Sequence, residues 1–250
     1  MQNIKTAIIG GSGLTQLKDL RDIRREVGRT PYGDPSAPLT MGTLGEREII
    51  FLPRHGLSHQ IPPHKVNYRA NIWVLKSMGV QEVYAVGATG GIDPALRPRD
   101  IVIPTQLIDY TYDREQTFYD GSNSQVQHID FSHPYTEHMR EKLAQSAQAA
   151  GIEVQRDGVY AATQGPRLET AAEIDRIERD GGTIVGMTGM PEAALARELD
   201  LDYALISLVV NPAAGRAGDA IISMQEINEH LKAGMRDVCR IFEAMLSGAG

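Results

Sequence analysis

The residues of this chain that could bind a small anion come directly after short apolar segments. Ser12 lies in the glycine-rich sequence Gly10–Leu14, and Arg54 and His55 follow the apolar segment Glu48–Leu52. Backbone N–H groups of a glycine-rich turn, a serine hydroxyl and the planar fork of a guanidinium all donate hydrogen bonds that suit phosphate oxygens. The two segments therefore predict a site for an anion such as inorganic phosphate.

Neither segment is decisive alone. Gly10–Leu14 matches neither the G-x-G-x-x-G dinucleotide fingerprint nor the G-K-[ST] ending of a P-loop, and a plain turn would use the same glycines. The histidines His55, His59 and His64 could also bind a metal ion, but no Asp, Glu or Cys accompanies them, and Pro62-Pro63 limits their convergence. Phosphate is the favoured ligand, and no metal is expected.

Two more segments end in small or hydroxyl-bearing residues. Ala88 lies within Gly87–Gly91, where the lack of large side chains would let the backbone lie against a ligand, although close helix–sheet packing is the alternative. Thr188 precedes Pro191 in the first turn of a predicted helix, where the hydroxyl and the helix N-terminus could share an anion. Both segments are consistent with the same anion site.

Glu169 and Asn211 are two further polar side chains that could contact a substrate. Thr170 and Glu173 match an S/T-x-x-E capping box, but Glu169 lies just before the cap and could point into a cleft. Asn211 ends the long apolar segment Tyr203–Val210, where an amide alone usually caps or turns the chain. We treat Glu169 and Asn211 as candidate substrate contacts.

Apolar, β-branched segments alternate with helical patterns along the chain, which is typical of an α/β domain. We predict strands over Thr6–Ile9, Glu48–Leu52, Glu82–Val86, Asp100–Ile103, Asp157–Ala161, Ile184–Met187 and Tyr203–Val210. We predict helices over Asn67–Ser77, Thr136–Ala150, Thr170–Arg179, Pro191–Glu198 and Met224–Met245. No repeat or linker is visible, so residues 1–250 are expected to form one domain. Since ligands bind at the carboxyl ends of strands in open α/β sheets, the candidate residues should meet in one site.

Composition narrows the possible partners. The formal net charge is −7 and basic residues do not cluster, which argues against nucleic-acid binding. No apolar run approaches the roughly 18 residues of a membrane helix, and no signal peptide is visible, so a cytoplasmic protein is expected. The single cysteine, Cys239, excludes an internal disulfide.

Five separated motifs, taken in order, resemble the trimeric purine nucleoside phosphorylase and methylthioadenosine phosphorylase family. They are G-G-S-G-L from Gly10, P-R-H-G from Pro53 with H-K-V-N-Y-R-A-N-I-W from His64, G-P-R-L-E-T from Gly165, G-M-T-G-M-P-E-A from Gly186, and the strand that ends at Asn211. Each motif is weak alone, but the ordered set covers nearly the whole chain. The resemblance implies one α/β domain with a mixed, partly barrel-like central sheet flanked by helices, assembled as a homotrimer.

The resemblance also implies roles for individual residues. The family's phosphate ligands fall on Ser12, Arg54, His55, the Ala88 backbone and Thr188. Met187 matches a residue that contacts the ribose, and His128 matches a residue that reaches the sugar of a neighbouring subunit. Phosphate would attack C1′ as the bond to the purine loosens, and the protein would position the dianion and stabilise charge on the departing base. No metal or organic cofactor is implied.

Departures from the family pattern bear on the base. Members that act on adenine nucleosides carry aspartates where Asn211 and Ala213 stand. The Asn211 amide offers one acceptor and one donor, which match N7–H and O6 of a 6-oxopurine. Glu169 falls where 6-oxopurine members carry a glutamate, and it could accept N1–H of hypoxanthine or guanine, whereas adenine N1 has only a lone pair. We therefore predict that both residues contact a 6-oxopurine during catalysis, while the proton donor to N7 stays open.

The predicted 5′ side differs from phosphorylases of ordinary nucleosides, in which a histidine reaches the 5′-hydroxyl. Met224 stands at that position, Ile227 follows one turn later and Ile221-Ile222 precede it, which suits a methylthio group. The alternative is that they form the core face of the helix. The combined prediction is phosphorolysis of S-methyl-5′-thioinosine. A methylthioadenosine phosphorylase, a broader inosine and guanosine phosphorylase, and a nucleoside-binding protein without turnover are the alternatives.

Overall fold

The computed structural model describes residues 4–15, 17–122, 125–218 and 222–248. These residues contain a 3-10 helix at Pro63–Lys65, ten strands and five α-helices. The strands are β1 (Thr6–Gly10), β2 (Arg21–Glu26), β3 (Leu39–Leu44), β4 (Arg47–Pro53), β5 (Glu82–Gly91), β6 (Ile101–Val102), β7 (Gln106–Asp109), β8 (Val159–Ala162), β9 (Ile184–Gly186) and β10 (Asp202–Pro212). The helices are α1 (Tyr68–Ser77), α2 (Glu137–Ala149), α3 (Ala171–Arg179), α4 (Gly189–Glu198) and α5 (Met224–Leu246).

Strand β5 is the centre of a mixed sheet. β1 runs parallel to β5 along one edge, and β10 runs parallel to it along the other. β4, β3 and β2 extend the sheet beyond β1. β9 pairs antiparallel with the end of β5, and β8 and β7 follow it. The prediction of a mixed sheet is confirmed.

The half of the sheet around β5 and β10 curls back on itself. β6 pairs with β10, and Gln155 exchanges backbone hydrogen bonds of 2.8 Å each with Ile101 and Ile103. The chain then enters β8, which pairs with β9 and so returns to β5. The predicted fold class, a single α/β domain with a partly barrel-like sheet flanked by helices, is therefore confirmed.

Helices cover both faces of the sheet because its central strands are apolar on both sides. On β1, Ile8 packs in one buried cluster with side chains of α2 and α5, such as Leu143 and Phe242. Its neighbour Ile9 packs in a second cluster with side chains of α1 and α4, such as Leu75 and Leu195. Each such side chain contributes about 1.5–3 kcal/mol on full burial.

Three strands were not predicted from the sequence. All six residues of β2 are exposed, so that strand has no buried face to produce an alternating pattern. β3 and the half-exposed β7 were also missed. The predicted strand Asp100–Ile103 is reduced to the two residues of β6, because the neighbouring backbone at Ile103 pairs with Gln155 instead of with a strand.

Candidate active site

A cavity of about 830 Å³ opens where several strands of the sheet end. Ten of the predicted site residues line it: Ser12, Arg54, His55, Ala88, Glu169, Met187, Thr188, Asn211, Met224 and Ile227. The eleventh, His128, is exposed in a segment without helix or strand and does not line this cavity. Its predicted contact is with a neighbouring subunit, so the role of His128 stays a prediction.

One edge of β5 is open inside the cavity. β1 pairs with β5 only as far as Ala85, and β9 joins the same edge only at Gly90. The Val86 carbonyl points to this gap, since it accepts a bond of 2.9 Å from Arg54 Nη1. Backbone groups alternate along a strand, so the N–H of Ala88 faces the same gap. This is the position from which a backbone N–H can bind an anion.

The turn after β1 closes the other side of this gap. A Cβ on Gly11 would lie 2.3 Å from the Val86 carbonyl oxygen and 3.2 Å from Arg54 Nη1. Only glycine therefore allows the turn to approach β5 so closely. Ser12, the next residue, is half-buried on the cavity wall, where the sequence placed it.

Arg54 is held by a carboxylate that the sequence analysis did not assign. Its Nε and Nη2 donate to the two oxygens of Glu192 at 2.6 and 2.7 Å, and both side chains are almost completely buried. Tyr203 donates to the same carboxylate at 2.9 Å. One edge of the guanidinium fork thus faces Glu192, and only the remaining N–H groups of Nη1 and Nη2 can reach an anion.

Glu192 belongs to the motif that also contains Thr188, but sequence spacing gave no reason to pair it with Arg54. The two residues are 138 positions apart. The available signal was a glutamate in the first turn of a helix whose other residues from Gly189 to Ala196 are small or apolar. Burial of that helix start requires a cationic partner for the carboxylate.

His55 is fixed by the backbone of the following loop. Its Nδ1 lies 2.8 Å from the Ile61 carbonyl oxygen, which can only accept, so Nδ1 carries the proton. Burial and, after it, the positive charge of Arg54 lower the pKa of His55 to about 4. A neutral ring in this tautomer leaves Nε2 as an acceptor. His55 can therefore donate to an anion through Nε2 only when it is protonated, whereas the neutral ring accepts from a hydroxyl group of the ligand.

Thr188 lies on the cavity wall, but the prediction that it shares an anion with the N-terminus of a helix needs correction. The backbone N–H groups of Thr188 and Gly189 donate to the hydroxyl of the buried Tyr160, at 3.2 and 3.4 Å. Two N–H groups at the start of α4 are thus satisfied inside the protein. What Thr188 can offer to a ligand is its side-chain hydroxyl.

The two residues predicted to contact the base are each held in one orientation. Thr163 Oγ1 donates to Glu169 Oε1 at 2.5 Å, which leaves the second carboxylate oxygen for another partner. Asn211 Nδ2 donates to the Pro212 carbonyl at 2.6 Å. Because a carbonyl only accepts, this bond identifies the amide nitrogen and leaves Oδ1 and one N–H of Asn211 available.

The predicted capping box is also present, and it gives Glu173 a structural role that Glu169 does not share. Thr170 and Glu173 satisfy each other's backbone N–H groups at the start of α3. Arg167 forms a bidentate pair with Glu173 at 2.7 and 2.8 Å. Glu173 is therefore occupied, and Glu169 is the carboxylate of this segment that lines the cavity.

The start of α5 forms another part of the cavity wall. Met224 and Ile227 lie there as predicted, together with Ile222 and Leu231, while Ile221 lies outside the described residues. Met224 is 60% exposed, so it borders the mouth and is not part of the helix core. Asn228, which the sequence analysis missed, adds an amide to this part of the wall.

Two further observations concern metals and membranes. Across the described ranges, no three His, Cys, Asp or Glu side chains come together as a metal site would require. Within the same ranges, no helix combines the length and the apolar character needed to cross a membrane.

A model of the phosphorylase superfamily matches residues 5–247. The chain belongs to this superfamily. As a phosphorylase it is an enzyme of the pentosyltransferase class, and the open edge of β5 with the residues around it is its candidate phosphate end.

Individual relatives are similar over nearly their full length. A probable S-methyl-5′-thioinosine phosphorylase from Pseudomonas syringae pv. tomato is 53% identical over 97% of this chain and 98% of the relative. A 6-oxopurine nucleoside phosphorylase from Pyrococcus furiosus is 42% identical over 97% of this chain and 92% of the relative. The structure of methylthioadenosine phosphorylase from Schistosoma mansoni in complex with adenine has a TM-score of 0.93 and 32% identity, and the match covers 99% of this chain and 93% of that one.

Proposed function

We propose that this phosphorylase cleaves S-methyl-5′-thioinosine with inorganic phosphate and releases hypoxanthine and 5-methylthioribose 1-phosphate. The observation that carries the proposal is the pair Glu169 and Asn211, which line one cavity and are each fixed by an internal hydrogen bond. The relative from Pseudomonas syringae pv. tomato, which carries the same activity in its name, supports it.

The fixed orientations favour a 6-oxopurine over adenine. Asn211 presents an acceptor for N7–H and a donor for O6, and Glu169 presents a carboxylate oxygen for N1–H. Adenine would oppose its N1 lone pair to the carboxylate and its 6-amino group to the amide N–H. Each unmatched polar contact in a buried site costs about 1–3 kcal/mol. Two such contacts give strong rejection of the adenine nucleoside.

At the phosphate end, donors surround the gap beside β5. Ser12, Thr188, the Ala88 N–H and the free edge of Arg54 would each bind a phosphate oxygen, and Met187 would contact the ribose. Since His55 Nε2 is an acceptor, the hydroxyl of HPO₄²⁻ would donate to it and leave unprotonated oxygens for attack at C1′. In this reaction the phosphate loses the proton of its hydroxyl, and hypoxanthine gains one proton as it leaves. No metal or organic cofactor takes part in this scheme.

The 5′ end supports a methylthio group and also explains the leading alternative. Met224, Ile227 and Leu231 give this end an apolar wall. Asn228 could instead bind a 5′-hydroxyl, which favours a broader inosine and guanosine phosphorylase like the Pyrococcus furiosus relative. A methylthioadenosine phosphorylase is a weaker alternative, because Glu169 and Asn211 favour a 6-oxopurine. A nucleoside-binding protein without turnover is also weaker, because the complete set of proposed phosphate donors is present.

Assembly and location are part of the proposal. We expect a homotrimer in which His128 of one subunit approaches the sugar bound by the next, and we expect the enzyme in the cytoplasm. The exposed position of His128 supports the first expectation.

The test is the initial rate with S-methyl-5′-thioinosine, methylthioadenosine and inosine at equal concentration, with and without phosphate. We expect the methylthioinosine rate to exceed the other two at least tenfold and every rate to vanish without phosphate. Equal or faster cleavage of methylthioadenosine would contradict the assignment of Glu169 and Asn211. Faster cleavage of inosine would retain the base assignment and reject the 5′ assignment.

A further inference from the structure

Arg114 lies in the segment between β7 and α2 and donates hydrogen bonds to two separate segments of the site. Nη1 donates to the carbonyls of Met187 and Met190 at 2.8 and 2.7 Å. Nη2 donates to the carbonyls of Thr163 and Gln164 at 3.1 and 2.8 Å. One side chain thus binds four backbone carbonyls in the two segments that follow the neighbouring strands β8 and β9.

Contacts with Gln164 and Tyr68 also fix the guanidinium in place. Nε donates to the side-chain oxygen of Gln164 at 3.0 Å, and the guanidinium lies over the ring of Tyr68 with 5.6 Å between Cζ and the ring centroid. Among the residues that the structure describes, Arg114 has no carboxylate partner. Its donors are therefore used to orient backbone and not to neutralise an acid.

The two segments that Arg114 joins carry different parts of the substrate. Met187 and Met190 flank Thr188, which is proposed to bind phosphate. Thr163 holds Glu169, which is proposed to bind the purine, through the 2.5 Å hydrogen bond. The distance between these segments therefore sets the distance between the base and the nucleophile.

We infer that Arg114 is a positioning residue that fixes the base-binding segment at Thr163–Glu169 relative to the phosphate- and ribose-binding segment at Met187–Thr188. This inference rests on the proposed function of the same cavity. Displacement of either segment by about 1 Å would misalign phosphate, C1′ and purine, and such misplacement can lower a rate about 100-fold. Because Glu169 is held through Thr163, base discrimination depends on Arg114 as well.

The test compares Arg114→Ala and Arg114→Lys with Arg140→Ala. Arg140 is the control, since it is a buried arginine that donates to the Pro104 and Arg156 carbonyls outside the cavity, although it also pairs with Glu137. For each variant, kcat and KM would be measured for phosphate, methylthioinosine and methylthioadenosine below its melting temperature. Arg114→Ala would also be assayed with guanidinium ion at low millimolar concentration.

We expect both Arg114 variants to lose at least tenfold in kcat, with a higher KM for phosphate and a lower ratio of methylthioinosine to methylthioadenosine turnover. Guanidinium should restore part of the Arg114→Ala rate, and Arg140→Ala should lower only the melting temperature. If Arg114→Ala does not fold, Arg114→Lys decides by the same kinetic changes. Kinetics within threefold of the parent, or a loss without change in base discrimination and without rescue, would overturn the inference. A parent enzyme without phosphorolysis would instead reject the proposed function.

Discussion

Replacing Glu192 with glutamine removes the charge that faces Arg54 and keeps the shape of the side chain. Arg54 is 1% exposed and Glu192 is 0% exposed, so water cannot replace the lost carboxylate. Burial lowers the pKa of Arg54, but the charge and hydrogen bonds of Glu192 raise the pKa above its ordinary value, so the guanidinium stays charged. The glutamine side chain would also place its own N–H donor against an N–H of Arg54, where one of the two hydrogen bonds of 2.6 and 2.7 Å now lies.

Breaking a buried ion pair by removing one partner costs about 3–5 kcal/mol. In a chain of this size, 1 kcal/mol shifts the melting temperature by about 2–4 °C, so Glu192→Gln should melt roughly 6–20 °C below the parent. Since Arg54 is then no longer held, kcat/KM for phosphate should fall about 100-fold.

The assay combines thermal melts with phosphate kinetics below the melting temperature. Glu198→Gln is the matched control, because Glu198 lies on the same helix and accepts bonds of 2.6 and 2.7 Å from Thr117 and Phe118, away from the cavity. It should leave the KM for phosphate unchanged. Tyr203→Phe removes only the 2.9 Å bond to Glu192 and should cost about 1 kcal/mol. A Glu192→Gln protein with a melting temperature within 3 °C of the parent, about the effect of 1 kcal/mol, and normal phosphate kinetics would refute the reasoning.

Three other predictions address the remaining parts of the cavity. Burial lowers the pKa of His55 to about 4 in the fold, whereas the unfolded chain keeps the ordinary pKa near 6.5, so the free energy of unfolding should decrease by about 3 kcal/mol as pH falls across this range. Urea titrations at several pH values should show a weaker pH dependence of the unfolding free energy in His55→Gln, and an unchanged pH dependence would reject the prediction. Asn211→Asp places a carboxylate against O6 and the Pro212 carbonyl, so the preference for methylthioinosine over methylthioadenosine should fall about tenfold or more in rate assays, and a constant preference would count against the base assignment. Met224→His should raise the inosine-to-methylthioinosine ratio of kcat/KM about tenfold, the effect of one hydrogen bond of about 1.4 kcal/mol, whereas the control Met224→Leu should not; equal ratios in both variants would reject the 5′ assignment.

The elements that were predicted correctly are those whose sequence pattern reports burial. β1, β5 and β10 are nearly continuous apolar runs, as expected for strands covered on both faces. β2 has no buried residue, and its strand conformation comes from pairing with β3, which no local pattern reports. Long-range pairing therefore explains this omission better than weak strand propensity does.

The same distinction separates the two kinds of site residue. Ser12, Glu169 and Asn211 were candidates because each lies directly after an apolar segment or just before a helix cap. All three line the cavity, and their roles stay predictions. Glu192 and Arg114 were missed because their roles depend on partners 138 residues away and between 46 and 76 residues away, respectively. Such partners could be found from one sequence only if the fold were already known.

Under the proposed function, a chain of net charge −7 has to bind a phosphate dianion. The charge of Arg54 is balanced by Glu192 before any ligand binds, so the cavity does not depend on an excess of positive charge. Its remaining donors are the free edge of a guanidinium fixed by Glu192 and Val86, an N–H of strand β5 and the hydroxyls of Ser12 and Thr188. Donors that are already oriented need no reorganisation when charge moves from phosphate to purine, which is the condition under which electrostatic stabilisation lowers a barrier. In the proposed reaction, the buried ion pair would therefore act through the geometry of Arg54 more than through its charge.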